Sequence, residues 1–231
     1  MDVPPAADRQ ESDSRSARKR RAIMEAATAL FLANGYQGTS MDDIAARAAV
    51  SKQTVYKNFA DKERLFTDIV LGAAARADEF IEALPRVLAG GGDVQAVLRA
   101  LGRQYLATVM QPRTLQLRRL VIAEAGRFPE LARAYYQRAP ERVMTALAAQ
   151  LGHLADRGLR KLDDPLRAAS HYAFLVLGLP LDRAMFLGDG HNPTAAELDH
   201  AADVAVRVFL AAYGRPARVA VGGTDGHPIP V

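Results

Sequence analysis

The chain of 231 residues contains no cysteine and no tryptophan, and its fifteen aromatic residues are seven Tyr and eight Phe. Without thiols there is no disulfide framework, no thiolate nucleophile and no cysteine-ligated zinc site, and a cytoplasmic setting is the expected one. Long hydrophobic runs are absent too. The longest, Tyr172 to Leu181, is interrupted by Gly178 and Pro180 and falls short of the roughly 20 residues that cross a bilayer. Residues 1–14 carry Asp2, Asp8, Glu11 and Asp13 and lack the basic start and apolar centre of a secretion signal. A soluble chain that does not engage a membrane is expected. Alternating β-branched runs are scarce, so strands are not expected.

The signatures of common enzymes are missing as well. The glycine patterns of phosphate loops and dinucleotide folds do not occur, and Gly90 to Gly92 is not followed by Lys. His153, His171, His191, His200 and His227 show no metal-ligand spacing, and Ser170 beside His171 cannot form a triad by adjacency. Glu197-x-x-His200 has the spacing of a di-iron ligand pair, but that site needs a second copy and further glutamates that are not there. Glu197 reads instead as a helix cap. No catalytic residue, metal or cofactor is expected.

What the chain has is helical periodicity, with apolar residues recurring at three and four. Ile23, Ala26, Ala27, Leu30 and Phe31 stripe a helix from about Arg18 to Asn34, ended by Gly35 as a left-handed terminator. Ser40 and Asp43 form a capping box for a short helix carrying Met41, Ile44, Ala45 and Ala48. Ser51 caps another, with Val55 and Phe59 inward, and Asp61 caps a long one running towards Leu84 and stopping at Pro85. Gly90 to Gly92 is a flexible connector. Helices follow at about Val94 to Met110, Pro112 to Arg127, and Pro129 to Arg157 with a break or bend at Pro140. One more runs from Asp164 and Pro165 to Leu187 with a kink at Pro180. A Thr194/Glu197 box opens the last, which ends at Tyr213 with Gly214 as terminator.

Charge is placed unevenly. The whole chain has a net charge of +4, yet Arg15 to Lys62 alone holds nine basic residues against four acidic ones. Within that stretch two short helices joined by a tight turn, Ala45 to Val50, match the length and patterning of a helix-turn-helix. With Val55 and Phe59 committed to a core, Lys52, Gln53, Thr54, Tyr56 and Lys57 project outward. Two cations, an amide, a hydroxyl and a phenol are groups that read phosphates and base edges. Lys62 and the amides at its helix start can take a phosphate. A charged face is usually only solvated, but an exposed tyrosine between two lysines on a helix too short to stand alone has little structural purpose. Cations at Arg18 to Arg21 oppose the dipole of their own helix, and a phosphate-bearing partner would account for them.

Leu30, Phe31, Gly35, Tyr36, Thr39, Ser40, Ile44, Ala45, Ala49, Val50, Ser51, Thr54, Val55, Tyr56, Phe59, Asp61, Lys62, Glu63 and Leu65 together resemble the DNA-binding domain of the TetR/AcrR family of transcriptional regulators. The segment Leu117 to Pro129 is similar to the AefR-like subgroup. The helical periodicity, the Gly- and Pro-rich end and the resemblance together imply an all-α protein with four parts. They are a disordered arm at 1–14, a three-helix helix-turn-helix domain at 15–62, a helical effector-binding and dimerisation domain at 63–214, and a disordered tail at 215–231. The resemblance also implies phosphate contacts from Thr39 or Ser40, Tyr56 and Lys62, and base contacts from Lys52, Gln53, Thr54 or Lys57, on the helix opened by Ser51. Ala49, Gln53 and Asn58 depart from the commonest pattern.

A homodimer through the last two helices is implied, with Ala168, Ala169, Ala173, Gly178, Ala201, Ala202, Ala205 and Ala211 allowing close approach. Phe174, Leu177, Phe209, Leu210 and Tyr213 would supply bulk. Such a dimer binds palindromic double-stranded DNA. By family habit it is a repressor that excludes RNA polymerase until a small-molecule effector shifts the spacing of its recognition helices. Tyr105, Met110, Phe128, Tyr135, Tyr136, His171 and Phe174 are candidate walls of the effector pocket. The rival reading is an effector-free DNA-binding protein that shapes DNA or recruits partners.

Overall fold

A computed structural model describes residues 6–89, 93–154, 159–160, 162–188, 190 and 193–215, with side chains from residue 15 onward. Gly90 to Gly92, residues 1–5 of the arm and 216–231 of the tail lie outside the described residues. Among those described there are eleven α-helices and no β-strand.

The first helix, α1 (Ala6–Asn34), starts earlier than its apolar stripe suggests. Once a helix is nucleated, each further residue adds a hydrogen bond at little cost, so the polar segment before Arg18 extends it. It ends as its sequence dictates: Gly35 has φ +71° and its amide donates to Phe31 O at 2.9 Å. Next come α2 (Met41–Arg47), opened by the Ser40/Asp43 capping box, and α3 (Lys52–Asn58), capped by Ser51.

Between them Ala49 sits at φ +52°, a left-handed conformation in which Cβ crowds the following carbonyl. Glycine relieves that contact but adds unfolded-state entropy, so Ala49→Gly is expected to raise stability by about 0.5–1 kcal/mol. Denaturant unfolding of the two proteins checks this, and a lower midpoint for the glycine variant would mean that the turn carries no strain.

The long helix expected between Asp61 and Pro85 is two helices, α4 (Lys62–Ala73) and α5 (Ala75–Ala89). The break falls at Ala74, after the helix-weakening Gly72, where the buried face changes from one core to another. Pro85 lies inside α5 and does not stop it, because Val87 and Leu88 beyond it still pack on the second core.

The helices α6 (Val94–Val109) and α7 (Pro112–Ala123) follow, the latter ending before Arg127 in a turn at 124–128. After α8 (Pro129–Tyr136) the chain makes a π-helical turn, Gln137–Glu141, around Pro140, then α9 (Arg142–His153). A π turn is one way to absorb the hydrogen bond that proline cannot make.

Last are α10 (Pro165–Leu187), which carries Pro180 in its interior, and α11 (Ala195–Tyr213), opened by the Thr194/Glu197 box. Glu197 is therefore a cap: it accepts from Thr194 N at 2.8 Å, which holds its carboxyl below the usual range. Gly214 is not left-handed as expected; at φ −72°, ψ 151° it is extended and bridges Leu159, and Arg160 N donates to Tyr213 O.

Two cores result. The first joins Ile23, Phe31, Tyr36, Ile44, Val55 and Phe59 of the N-terminal helices to Leu65, Phe66, Ile69 and Val70 of α4. It also takes in Leu117, Leu120 and Val121 of α7 and Tyr135 of α8. At its centre four rings, Phe31, Tyr36, Phe66 and Phe128, make five ring contacts with centroids 4.7–5.9 Å apart. The second core lies among α5, α6, α9, α10 and α11 around the fully buried Tyr172, whose hydroxyl donates to Leu98 O at 2.6 Å. An ionic seam of Arg99 and Arg103 with Asp199 and Asp203 ties α6 to α11 on the outside.

Candidate nucleic-acid interface and effector cavity

On α3 the core takes Val55 completely, and Phe59 just beyond the helix nearly so. That fixes the rotation of the helix, and Lys52, Gln53, Tyr56 and Lys57 are left exposed, Tyr56 at 46 %. Thr54 is half-buried; its amide donates to Ser51 Oγ at 3.2 Å and the two hydroxyls are 2.8 Å apart. Ser51 and Thr54 thus order the start of the helix while the other four side chains face outward. Five of the nine candidate DNA contacts, Thr39, Ser40, Lys52, Tyr56 and Lys62, line one open cleft between α2, α3 and α4.

Several side chains of that cleft also have partners within the protein. Thr39 is 2 % exposed and its hydroxyl donates to Gly35 O at 2.9 Å, so it closes the turn after α1. Ser40 is exposed but engaged in its capping box with Asp43. Lys62 donates to Tyr36 O at 2.9 Å and Thr39 O at 2.8 Å and lies 4.3 Å above the Tyr36 ring. Two of its three N–H groups pin the α1–α2 turn, and one remains for an outside acceptor. At the start of α4 the Asp61 carboxylate already takes Arg64 N at 2.7 Å, so that anion position is filled from within. Lys52 pairs with Asp42 at 2.7 Å, which raises its pKa through a hydrogen bond to that carboxylate. Both side chains are solvent-exposed, so the pair exchanges readily for a phosphate.

Arg20 was not legible as a framework residue. Its guanidinium bonds Asp68 at 2.7 Å and Asn58 O at 3.2 Å and covers the Phe59 ring at 4.2 Å, joining α1 to the end of α3 and to α4. Its neighbours Arg18, Lys19 and Arg21 are exposed on α1.

Between α5, α6, α7, α8, α9 and α10 lies a cavity of about 360 Å³. Of the candidate pocket residues Tyr105, Tyr135, Tyr136 and Phe174 line it. Phe128 does not, because it belongs to the ring cluster of the first core. Met110 is packed in the second core, and His171 is on the outside with its Nδ1 2.7 Å from Tyr213 Oη. Sequence reasoning missed Arg76, Arg118, Phe80, Met144 and Met185, which also line the cavity. Neither arginine stands in a motif, and both sit on helices whose inward face is otherwise apolar.

Several residues expected at a dimer face are taken up inside the protomer. Ala168, Ala169, Ala173, Ala202, Ala205, Leu177 and Phe209 are buried within the chain's own second core, where they let α10 and α11 approach α6 and α9. The side chains left outside on these helices are larger: Leu166, Phe174, Leu175, Leu179, Phe186 and Leu187 on α10 and Val208 on α11, with Phe186 82 % exposed.

A helix-turn-helix head that shares a core with a larger helical body, which itself holds a cavity, defines a one-chain transcriptional regulator. Residues 23–69 match the family described as bacterial regulatory proteins, tetR family, and residues 96–215 match the AefR-like transcriptional repressor, C-terminal domain. The chain belongs to the TetR family of transcriptional regulators. It is 44 % identical to a TetR-family regulator of Mesorhizobium loti of known structure, with 87 % of this chain and 99 % of that one covered and a TM-score of 0.78. The flavonoid-responsive regulator FrrA is 35 % identical over 87 % of this chain and 100 % of its own, with a TM-score of 0.65. Among curated relatives, a repressor of Mycobacterium tuberculosis is 33 % identical over 103 residues, 45 % of this chain and 51 % of its own length. YhgD of Bacillus subtilis is 40 % identical over 68 residues, 28 % of this chain and 36 % of its own. The chain thus matches between about a third and a half of the length of these curated relatives.

Proposed function

We propose that the protein is a homodimeric repressor that binds a palindromic operator and releases it when a small molecule fills the cavity. The observation that carries the DNA-binding part is the rigid outward presentation of Gln53, Tyr56 and Lys57 on a helix held from behind by Val55 and Phe59. Exposed Arg18, Lys19 and Arg21 on α1 add phosphate attraction beside it. The apolar side chains of α10 and α11 favour a two-fold partner of the same kind, which would set two α3 helices about one turn of DNA apart or more. Ligand release is supported by the placement of Tyr135, which lines the cavity and belongs to the core beneath the DNA-reading helices. The name of FrrA records a small-molecule response in a protein of similar sequence.

Selection of random duplex DNA by the purified protein at two salt concentrations tests this reading. A palindromic winner with a steep salt slope is expected. On that sequence Tyr56→Ala should weaken binding to all duplexes alike, while Gln53→Ala should change which base is preferred, by about 1–3 kcal/mol at one position of each half-site. If both variants bind as the parent does, the wrong face has been assigned. Sequence-indifferent binding throughout would favour an architectural protein instead.

A further inference from the structure

We infer that the cavity takes an aromatic molecule carrying one acidic group, a carboxylate or an ionised phenol, and that Arg118 anchors that group. The assignment depends on the cavity being the effector site proposed above.

Most of the wall is apolar or aromatic: Phe80, Val143, Met144, Leu177 and Met185 among others. Such a lining, with few polar groups, accepts a flat hydrophobic body, and about 360 Å³ lies at the small end of the ~300–1,000 Å³ typical of ligand sites.

Arg118 enters this wall from α7 and is half-buried. Three other arginines of the body illustrate the usual arrangement, in which the protein itself supplies the acceptor. Arg76 donates to Thr114 Oγ1 at 3.0 Å, Arg142 pairs with Asp78, and Arg119 donates to Ala184 O at 2.8 Å. Arg118 has neither a hydrogen-bond acceptor nor a carboxylate among the described residues, and the groups that feel its charge are the phenols of Tyr105 and Tyr135.

A guanidinium does not lose its proton, so the charge cannot be shed on partial burial. A ligand that displaces water from around it must supply an acceptor in exchange, and a carboxylate matches its fork with two parallel hydrogen bonds. Burial pushes the Tyr105 hydroxyl up to about 12, so at neutral pH it remains a phenol and does not supply the missing anion. The one acid among the described lining residues, Asp182, is exposed on α10. Arg76 and Arg118 outnumber it, so the lining carries an excess positive charge.

The position of Arg118 also gives the binding event a route outward. Leu117, Leu120 and Val121 of the same helix are packed in the core of the DNA-reading head. An anion drawn onto Arg118 therefore loads the helix that the head rests on.

Calorimetric titration of the full-length protein with 2-naphthoate and with 2-naphthamide, which share a shape and differ in charge, tests this. The acid is expected to bind at least roughly tenfold more tightly than the amide. Arg118→Met should abolish the difference by weakening the acid more than the amide, and residual binding of both probes shows that the variant cavity is intact. Arg118→Lys should restore part of the preference. Equal affinities in the parent, a preference that survives Arg118→Met, or binding of neither probe would overturn the assignment. Met144→Trp, which fills the cavity, separates the two levels. If acid and amide bind the parent equally and both are lost in Met144→Trp, the effector site stands and the anion preference falls. If binding persists in Met144→Trp, both fall.

Discussion

The double variant Leu179→Glu/Phe186→Glu is expected to be a folded monomer that no longer holds its operator. Both side chains point to solvent from α10, at 69 % and 82 % exposure, so neither supports the protomer's own core and neither is needed for folding. In a two-fold dimer each is buried twice, and each fully covered Leu or Phe contributes about 1.5–3 kcal/mol. Losing them and opposing four carboxylates across the axis should weaken dimerisation by at least about a thousandfold, or roughly 4 kcal/mol. One recognition helix alone then contacts one half-site, and operator affinity should fall by two orders of magnitude or more. Sedimentation velocity gives the oligomeric state and a gel-shift titration the affinity. A variant that sediments as a dimer and binds normally would place the interface elsewhere.

Phe66→Ala is expected to have the largest effect on stability. The ring stands edge-on to Phe31 at 5.2 Å, against Tyr36 at 5.1 Å and against Phe128 at 5.7 Å, and it is 1 % exposed. Removing a ring so enclosed costs about 3–5 kcal/mol, because the neighbours cannot collapse fully onto the void. For a chain of this size that lowers the melting temperature by about 6–20 °C. Since Phe31 and Tyr36 belong to the DNA-reading head and Phe128 precedes α8, the void opens at the joint between head and body. Hydrogen exchange should accelerate first in α1 to α4, with the core around Tyr172 still protected. Uniform acceleration across both cores would instead mean that the molecule unfolds as one unit from the start.

Features set by a few neighbouring residues were legible in the sequence. The caps at Ser40, Ser51, Asp61, Asp164 and Thr194 bond amides three residues ahead, so the pattern that suggests them also contains their partners. The outward face of α3 followed from Val55 and Phe59 in the same way. Helix continuity was harder to read: Pro85 interrupts a local pattern, but whether it ends a helix was decided by the distant surface on which Val87 and Leu88 pack. Long cationic side chains were least legible. Lys62 reaches a turn 23 to 26 positions earlier and Arg20 partners 38 and 48 positions later. Sequence supplies the charge, and only the assembled fold decides whether it faces a carbonyl, a carboxylate or an open cavity. The same holds for the small residues of α10 and α11, whose size permits close packing without saying against which helix.

The extension of the first core into α7 and α8 bears on how such regulators can be recombined. A head cut after residue 62 would leave behind Leu65, Phe66, Ile69 and Val70, together with the floor formed by Leu117, Leu120, Val121 and Tyr135. Grafting it onto a foreign body would exchange a fitted apolar seat for an unmatched one. A hybrid that keeps this chain's DNA preference while answering to another chemical signal must therefore carry α4 with the head and transplant the matching faces of α7 and α8. The exchangeable part is the head with its seat, a unit contiguous in space and split in the chain.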